Sequence, residues 1–138
     1  MVLEPSARVV HPVEHAGYWE PIAWARRYEM DPLLAARHPD RFRERIEILR
    51  VGSFTVRRVF VRACFATVIA LAVALMTAAG GDPRLAGAFV LLAAAAFLPV
   101  WAKWGFNLLR LPVALAVPFV LVFSYARGMR SGFARGSA

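Results

Sequence analysis

Among the residues able to do chemistry, the three histidines suit metal binding best, and His11 and His15 stand four residues apart. On a helix this spacing would place both imidazoles on one face, where they could bind zinc. Pro12 lies between them, however, and residues 7–13 (ARVVHPV) are rich in β-branched side chains, which predicts a strand ended by proline. No cysteine or set of acids completes the ligands. We therefore predict no metal site.

Other catalytic patterns are missing as well. Gly80-Gly81 lies between apolar runs and suits a membrane turn, not a phosphate-binding loop. The serines lack the nearby histidine and acid that nucleophilic catalysis requires. The pair Arg26-Arg27 has the right chemistry to bind phosphate, but such a pair is more often simply solvated or lies on lipid head groups. Taken alone, the residues indicate a protein without an evident active site, so no catalytic residue is assigned.

The composition indicates a membrane protein. Of the 138 residues, 59% are hydrophobic and the mean hydropathy is +0.53, which is too apolar for a soluble domain of this size. The formal net charge is +8. Because the basic residues flank apolar runs, they suit anionic lipid head groups better than nucleic acid. The lone Cys64 cannot form an internal disulfide. We expect membrane lipids as partners and no nucleic acid.

Charge and hydropathy divide the chain into three parts. Residues 1–62 carry 11 arginines and eight acids and are expected to form a cytoplasmic or interfacial helical region with one strand. Residues 63–126 form the membrane region, and residues 127–138 form a basic tail. The apolar runs of the membrane region are residues 63–81, 85–102 and 111–126.

The first two apolar runs predict a transmembrane helical hairpin, because each is about as long as a bilayer crossing requires. The third run contains Pro112 and Pro118 and predicts a Pro-kinked membrane helix. It is a full span, a segment that dips into the membrane and returns, or an interfacial helix. A full span would place the basic tail outside, against the positive-inside rule, so the second alternative is slightly favoured while the first stays open.

Aromatic and cationic residues at the ends of the hairpin are expected to anchor it at the membrane interface, where such side chains are enriched. The arginines that precede the first run also predict, by the positive-inside rule, that the N-terminal part is cytoplasmic. The anchors are Arg57, Arg58 and Arg62 before the first run, and Trp101, Lys103 and Trp104 after the second.

The sequence pattern of the N-terminal part predicts short amphipathic helices that lie along the membrane surface. The first covers residues 19–30. Asp31-Pro32 begins the second, with Asp31 as the N-cap and Pro32 at the first helical position. Asp40 caps a third helix over residues 41–50 (RFRERIEILR). The predicted fold is therefore a mainly α membrane protein: a short N-terminal strand, cytoplasmic amphipathic helices, a transmembrane hairpin and a third Pro-kinked membrane helix.

Three stretches together resemble a known family: EPSARVVHPV (4–13), ARRYEMDPLLAARHPDRFRERI (25–46) and FVLVFSYARGMRSGF (119–133). They are similar to the C-terminal connector and transmembrane tail of a bacterial family 2 glycosyltransferase of the GT-A fold. The resemblance implies that residues 7–13 are the last strand of a catalytic domain and that a helical connector follows. It also implies that His11 lies near the metal or diphosphate, and that Arg26 and Arg27 lie near the donor phosphates or the acceptor.

In that family, the nucleotide-sugar site, the acidic metal motif and the general base lie before this strand, where this chain has six residues. We therefore expect the catalytic half to be absent and the chain alone not to transfer sugar. The assignment as an enzyme stays open. A divalent cation and a nucleotide sugar are expected as cofactor and donor only if a catalytic half is present.

Two functions stay open. The first is the membrane-anchoring, acceptor-side portion of a family 2 glycosyltransferase. The second is a non-enzymatic accessory or scaffold subunit of a larger membrane complex, for which small-residue faces such as Ala66, Ala70 and Ala74 suit helix packing. Each predicts a protein partner, which is the catalytic half or the complex. The expected location is the bacterial inner membrane, with the N-terminal region in the cytoplasm.

Overall fold

The computed structural model describes residues 17–45, 48–51 and 54–136, with the side chains of residues 17–42 and 58–131. The predicted N-terminal strand over residues 7–13, including His11, lies outside the described residues. The helices are α1 (Glu20–Arg26), α2 (Asp31–Arg37), α3 (Pro39–Arg45), α4 (Val59–Ala79), α5 (Pro83–Ala102) and α6 (Leu111–Gly136). Two 3₁₀ segments, Arg27–Met30 and Leu108–Arg110, precede α2 and α6, and the strands are β1 (Ile48–Val51) and β2 (Phe54–Arg57).

Helices α4 and α5 pack against each other as an antiparallel hairpin. They have 21 and 20 residues, so each is about 30 Å long and matches the hydrocarbon core of a bilayer. Gly81 turns the chain with φ +83°, a conformation that glycine adopts freely. Asp82 then accepts a hydrogen bond of 2.9 Å from the Leu85 N–H and begins α5, with Pro83 in its first turn.

Three described helices are long and apolar enough to cross a membrane, namely α4, α5 and the segment Leu108–Ser131. This confirms the prediction of a mainly helical protein with helices able to span a membrane. The third helix, α6, is continuous for 26 residues with Pro118 inside it. The chain therefore does not turn back within residues 111–126, as a segment that dips and returns would require.

The third helix crosses one end of the hairpin. We call this end, residues 58–65 and 97–104, the hairpin base. Leu111 packs against the buried core at this base. Tyr125 lies about 21 Å further along α6, and its ring centroid is 5.5 Å from that of Phe65 near the start of α4. Because both points contact the same end of the hairpin, α6 crosses the base instead of following α4 to the tip.

The N-terminal helices lie on α6 at the hairpin base. We call residues 20–37, which are α1, the 3₁₀ segment and α2, the base layer, and each of these elements packs on α6. The two backbones approach closely at Gly128, where an added Cβ would lie 2.9 Å from the carbonyl carbon of Glu29. The core of the molecule is formed here by residues of α1, the 3₁₀ segment, α4, α5 and α6. Its members are Ala25, Tyr28, Phe60, Val61, Ala63, Cys64, Phe97, Val100, Ala114, Val117 and Leu121.

Two sequence predictions about helix starts differ from the structure. Asp31 is the first residue of α2 and not its N-cap, which is Met30. The carboxylate of Asp31 instead binds Arg58, because a largely buried carboxylate requires a cationic partner. Asp40 lies in the first turn of α3, which begins at Pro39.

The predicted helix over residues 41–50 is wrong at its end. Helix α3 stops at Arg45, and Ile48–Val51 pairs antiparallel with Phe54–Arg57, with Ile48 opposite Arg57. Ile48 and Val51 are β-branched and favour a strand. The sequence Gly52-Ser53 between the strands is of the type that favours a two-residue hairpin loop. These local preferences outweigh the helical charge pattern on which the prediction rested.

Candidate functional site: the hairpin base

Arg58 connects four elements at the hairpin base. It adopts a left-handed conformation, φ 58°, which costs a non-glycine residue about 1 kcal/mol or more. Its Nη2 donates to Asp31 Oδ2, its Nη1 donates to the Tyr125 hydroxyl at 3.4 Å, and its Cζ lies 5.0 Å from the Phe42 ring centroid. The side chains of Arg58 and Asp31 are only 19% and 13% exposed. Arg58 was predicted as an interface anchor, and the structure gives it internal partners in α2, α3 and α6.

Lys103 attaches the base layer to the end of α5. Its Nζ lies 3.4 Å from the Trp24 ring centroid and 4.1 Å from that of Phe60, which is within cation–π range. The predicted anchors Trp101 and Trp104 pack against the core. Both indole N–H groups are buried without a hydrogen-bond partner among the described residues. These tryptophans therefore pack against the core of the hairpin base, in addition to the interface position predicted for them.

A groove of about 500 Å³ opens between the base layer and α6, and we call it the arginine groove. Arg127 Nε donates to Glu29 Oε1 at 3.2 Å across it, and Arg26 lies on the same side as Glu29. With two cations and one anion, the groove has a net charge of +1. Its lining residues are Arg26, Glu29, Phe119, Val120, Phe123, Ser124 and Arg127.

Cations of the described side chains gather on the base side of the molecule, whereas the hairpin tip carries Arg84 beside Asp82. Such clustering creates a positive potential that attracts phosphate and anionic lipid head groups. The cations on the base side are Arg26, Arg27, Arg37, Arg41, Arg58, Arg62, Lys103, Arg110, Arg127 and Arg130.

The structure separates the site residues that the sequence grouped together. Arg26 lines the arginine groove, whereas Arg27 is exposed and does not line it. Arg62 is exposed in the first turn of α4. Arg57 ends β2, and His11 lies outside the described residues.

Sequence analysis missed the partners that complete the site. Glu29 was not singled out, and Arg127 was assigned to the basic tail. The available signal was Gly128, two residues after the third apolar run, because a glycine inside a helix costs stability and can mark a close approach of another backbone. Among the described residues, no group of three or more His, Cys, Asp or Glu side chains could hold a metal ion.

Comparison with known proteins finds no matching family model, no similar curated protein and no similar solved structure. The function must therefore be argued from the residues and their geometry.

Proposed function

We propose that this chain is the membrane-anchoring, acceptor-side portion of a bacterial family 2 glycosyltransferase, not sufficient for catalysis alone. One observation carries the proposal: the connector-like segment over residues 25–46 begins in a base layer that is fixed onto the hairpin base. The choice of this family rests on the resemblance of that segment to the connector of family 2 glycosyltransferases.

Fixed attachment matters because sugar transfer to a lipid-linked acceptor requires the catalytic domain at a constant height above the membrane, with both reactants positioned. A flexible linker would not provide this. The base layer is held by three contacts from different helices: Asp31 to Arg58, Trp24 to Lys103, and Glu29 to Arg127. A domain attached before Gly17 would thus sit beside the cationic base.

The charge distribution supports the cytoplasmic face of the bacterial inner membrane as the location of the base. Since α6 crosses the base, the cations that follow Tyr125 lie on the same side as Arg58, in agreement with the positive-inside rule. The acceptor would be a lipid-linked or envelope glycan whose phosphate meets these cations. The divalent cation and the nucleotide sugar would belong to the catalytic half, near His11. Arg27, which lies outside the arginine groove, would face the donor phosphates or the acceptor.

The test is to tag the C-terminus at the chromosomal locus, purify the protein in mild detergent, and measure its intact mass together with all co-purifying proteins. We expect a glycosyltransferase domain, either within the same polypeptide or bound to it. The same preparation should transfer sugar from a nucleotide sugar to a lipid extract, and Gly128→Ala should reduce this transfer more than Gly87→Ala. A stable complex without such a domain would overturn the proposal and favour the alternative, an accessory subunit of a membrane complex.

A further inference from the structure

We infer that the arginine groove binds the phosphate of a membrane lipid, held between Arg26 and Arg127, with the lipid chains against the aromatic wall of α6. This inference concerns the chain described here, without a catalytic domain. It holds whether or not a glycosyltransferase domain is attached, and the lipid in question is a bilayer phospholipid and not a sugar acceptor.

The charges of the groove favour one phosphate. Arg26 and Arg127 lie on opposite walls, one from the base layer and one from α6. Arg127 is paired with Glu29, but its side chain is 68% exposed. Its remaining guanidinium donors therefore stay accessible, and guanidinium groups are well suited to bind phosphate oxygens. The single carboxylate offsets only one of the two cations.

The apolar part of the groove favours a lipid over a free anion. Phe119 and Phe123 are 51% and 70% exposed, and they stand one helical turn apart on the same face of α6. Phe119 also lines a second groove of about 450 Å³ along the hairpin, whose lining is almost entirely apolar. The two grooves therefore meet at this ring. A lipid with its phosphate in the first groove would have its chains along the second, whereas inorganic phosphate would leave both aromatic walls in water.

The position of the groove, at the base end of the membrane hairpin, suits a lipid head group. Tyr125, beside Arg127, contacts Arg58 immediately before the first membrane helix. Lys103 and the tryptophans of the base lie at the same end of the hairpin. Aromatic and cationic side chains concentrate at the head-group level of membrane proteins. A phosphate in the groove would thus lie where bilayer phosphates lie.

To test this, we would titrate the full chain in detergent with dioleoyl phosphatidylglycerol and measure binding of the lipid by native mass spectrometry. Dioleoylglycerol, which lacks the phosphate, and inorganic phosphate, which lacks the chains, are the comparison ligands. The variants are Arg26→Gln and Arg127→Gln, with Arg37→Gln and Arg130→Gln as controls of equal charge outside the groove. Glu29→Gln removes the competing carboxylate.

We expect Arg26→Gln and Arg127→Gln each to weaken phosphatidylglycerol binding about fivefold, the effect of one arginine near a lipid phosphate. The two control variants should change it less than about twofold, and Glu29→Gln should strengthen it. Dioleoylglycerol should bind weakly. Equal losses in the groove and control variants would show a diffuse charge effect and overturn the inference. Displacement of the lipid by inorganic phosphate would overturn it in favour of a free-anion site.

Discussion

Replacement of Gly128 by alanine tests whether the base layer is fixed on α6 as the structure shows. An ideal Cβ at this position would lie 2.9 Å from the carbonyl carbon of Glu29 and 3.2 Å from its Cα, and closer still to the carbonyl oxygen. Ordinary carbon contacts lie at about 3.5–4.0 Å, so the backbone of Glu29 must move by at least about 0.6 Å. The obstacle is backbone and not a flexible side chain, so it cannot rotate away.

The expected free-energy change combines opposing effects. Overpacking of this kind costs about 1–3 kcal/mol, and displacement of Glu29 weakens its exposed pair with Arg127 by less than about 1 kcal/mol. Replacing glycine by alanine inside a helix stabilises the helix by about 1 kcal/mol. These contributions combine to a destabilisation of about 0–3 kcal/mol, and from the middle of this range we expect Gly128→Ala to destabilise the base layer by about 1.5 kcal/mol.

Gly87 provides a matched control. It lies inside α5, and an added Cβ would meet nothing within 4 Å. Gly87→Ala should therefore leave stability unchanged or raise it by up to about 1 kcal/mol. Three of the four tryptophans lie at the base, so their emission during an SDS titration in mixed micelles reports on this region. Equal stability of Gly128→Ala and Gly87→Ala would contradict the close approach of the Glu29 backbone to α6.

Three further predictions concern the attachment of the base layer and the path of α6. A double-mutant cycle with Asp31→Asn and Arg58→Met should give a coupling energy above about 1 kcal/mol in the same SDS titration, because the pair is largely buried. Lys103→Met should lower stability by about 1–2 kcal/mol through loss of its cation–π contacts, and Lys103→Arg should retain most of it. In right-side-out and inverted vesicles, cysteines placed at Ser131 and at Arg84 should react with an impermeant maleimide from opposite sides of the membrane, because α6 ends at the base and Arg84 lies at the tip.

Additive effects of the Asp31 and Arg58 substitutions would mean that their ion pair does not hold α2 on the base. Equal stability of the Met and Arg variants at position 103 would show that the stem of the side chain matters and its charge does not. Labelling of positions 131 and 84 from one side would contradict the crossing of the base by α6. Cys64 is fully buried and should give little background labelling.

Much of the fold follows from local sequence. The apolar runs over 63–81 and 85–102 are long enough for two membrane helices, and the glycines and Asp82-Pro83 between them end one helix and begin the next. The short helices of the N-terminal part follow from their prolines. The end of α3 was misread, because the helical charge pattern over residues 41–50 was given more weight than the strand preference of Ile48 and Val51.

The candidate site was predictable only in outline. Positive charge near the ends of the hairpin is visible in the sequence, and Arg26 was singled out for phosphate. The partners were not visible. Asp31 read as a helix cap, although its carboxylate binds an arginine 27 positions away, and the hydroxyl bound by that arginine is a further 67 positions along the chain. Periodicity and capping rules describe neighbours within a few residues, so they do not identify such pairs.

The sequence by itself determined that this is a mainly helical membrane protein with a hairpin and a strongly basic end, because bilayer thickness and helix rise set a minimum length for an apolar run. Only the tertiary structure decided how the third long helix is placed. Its composition is compatible with a full span, a dip or a crossing of the base. The close approach of Gly128 to Glu29 and the contacts of Tyr125 with Arg58 and Phe65 select the crossing, because they hold the second half of α6 at the hairpin base.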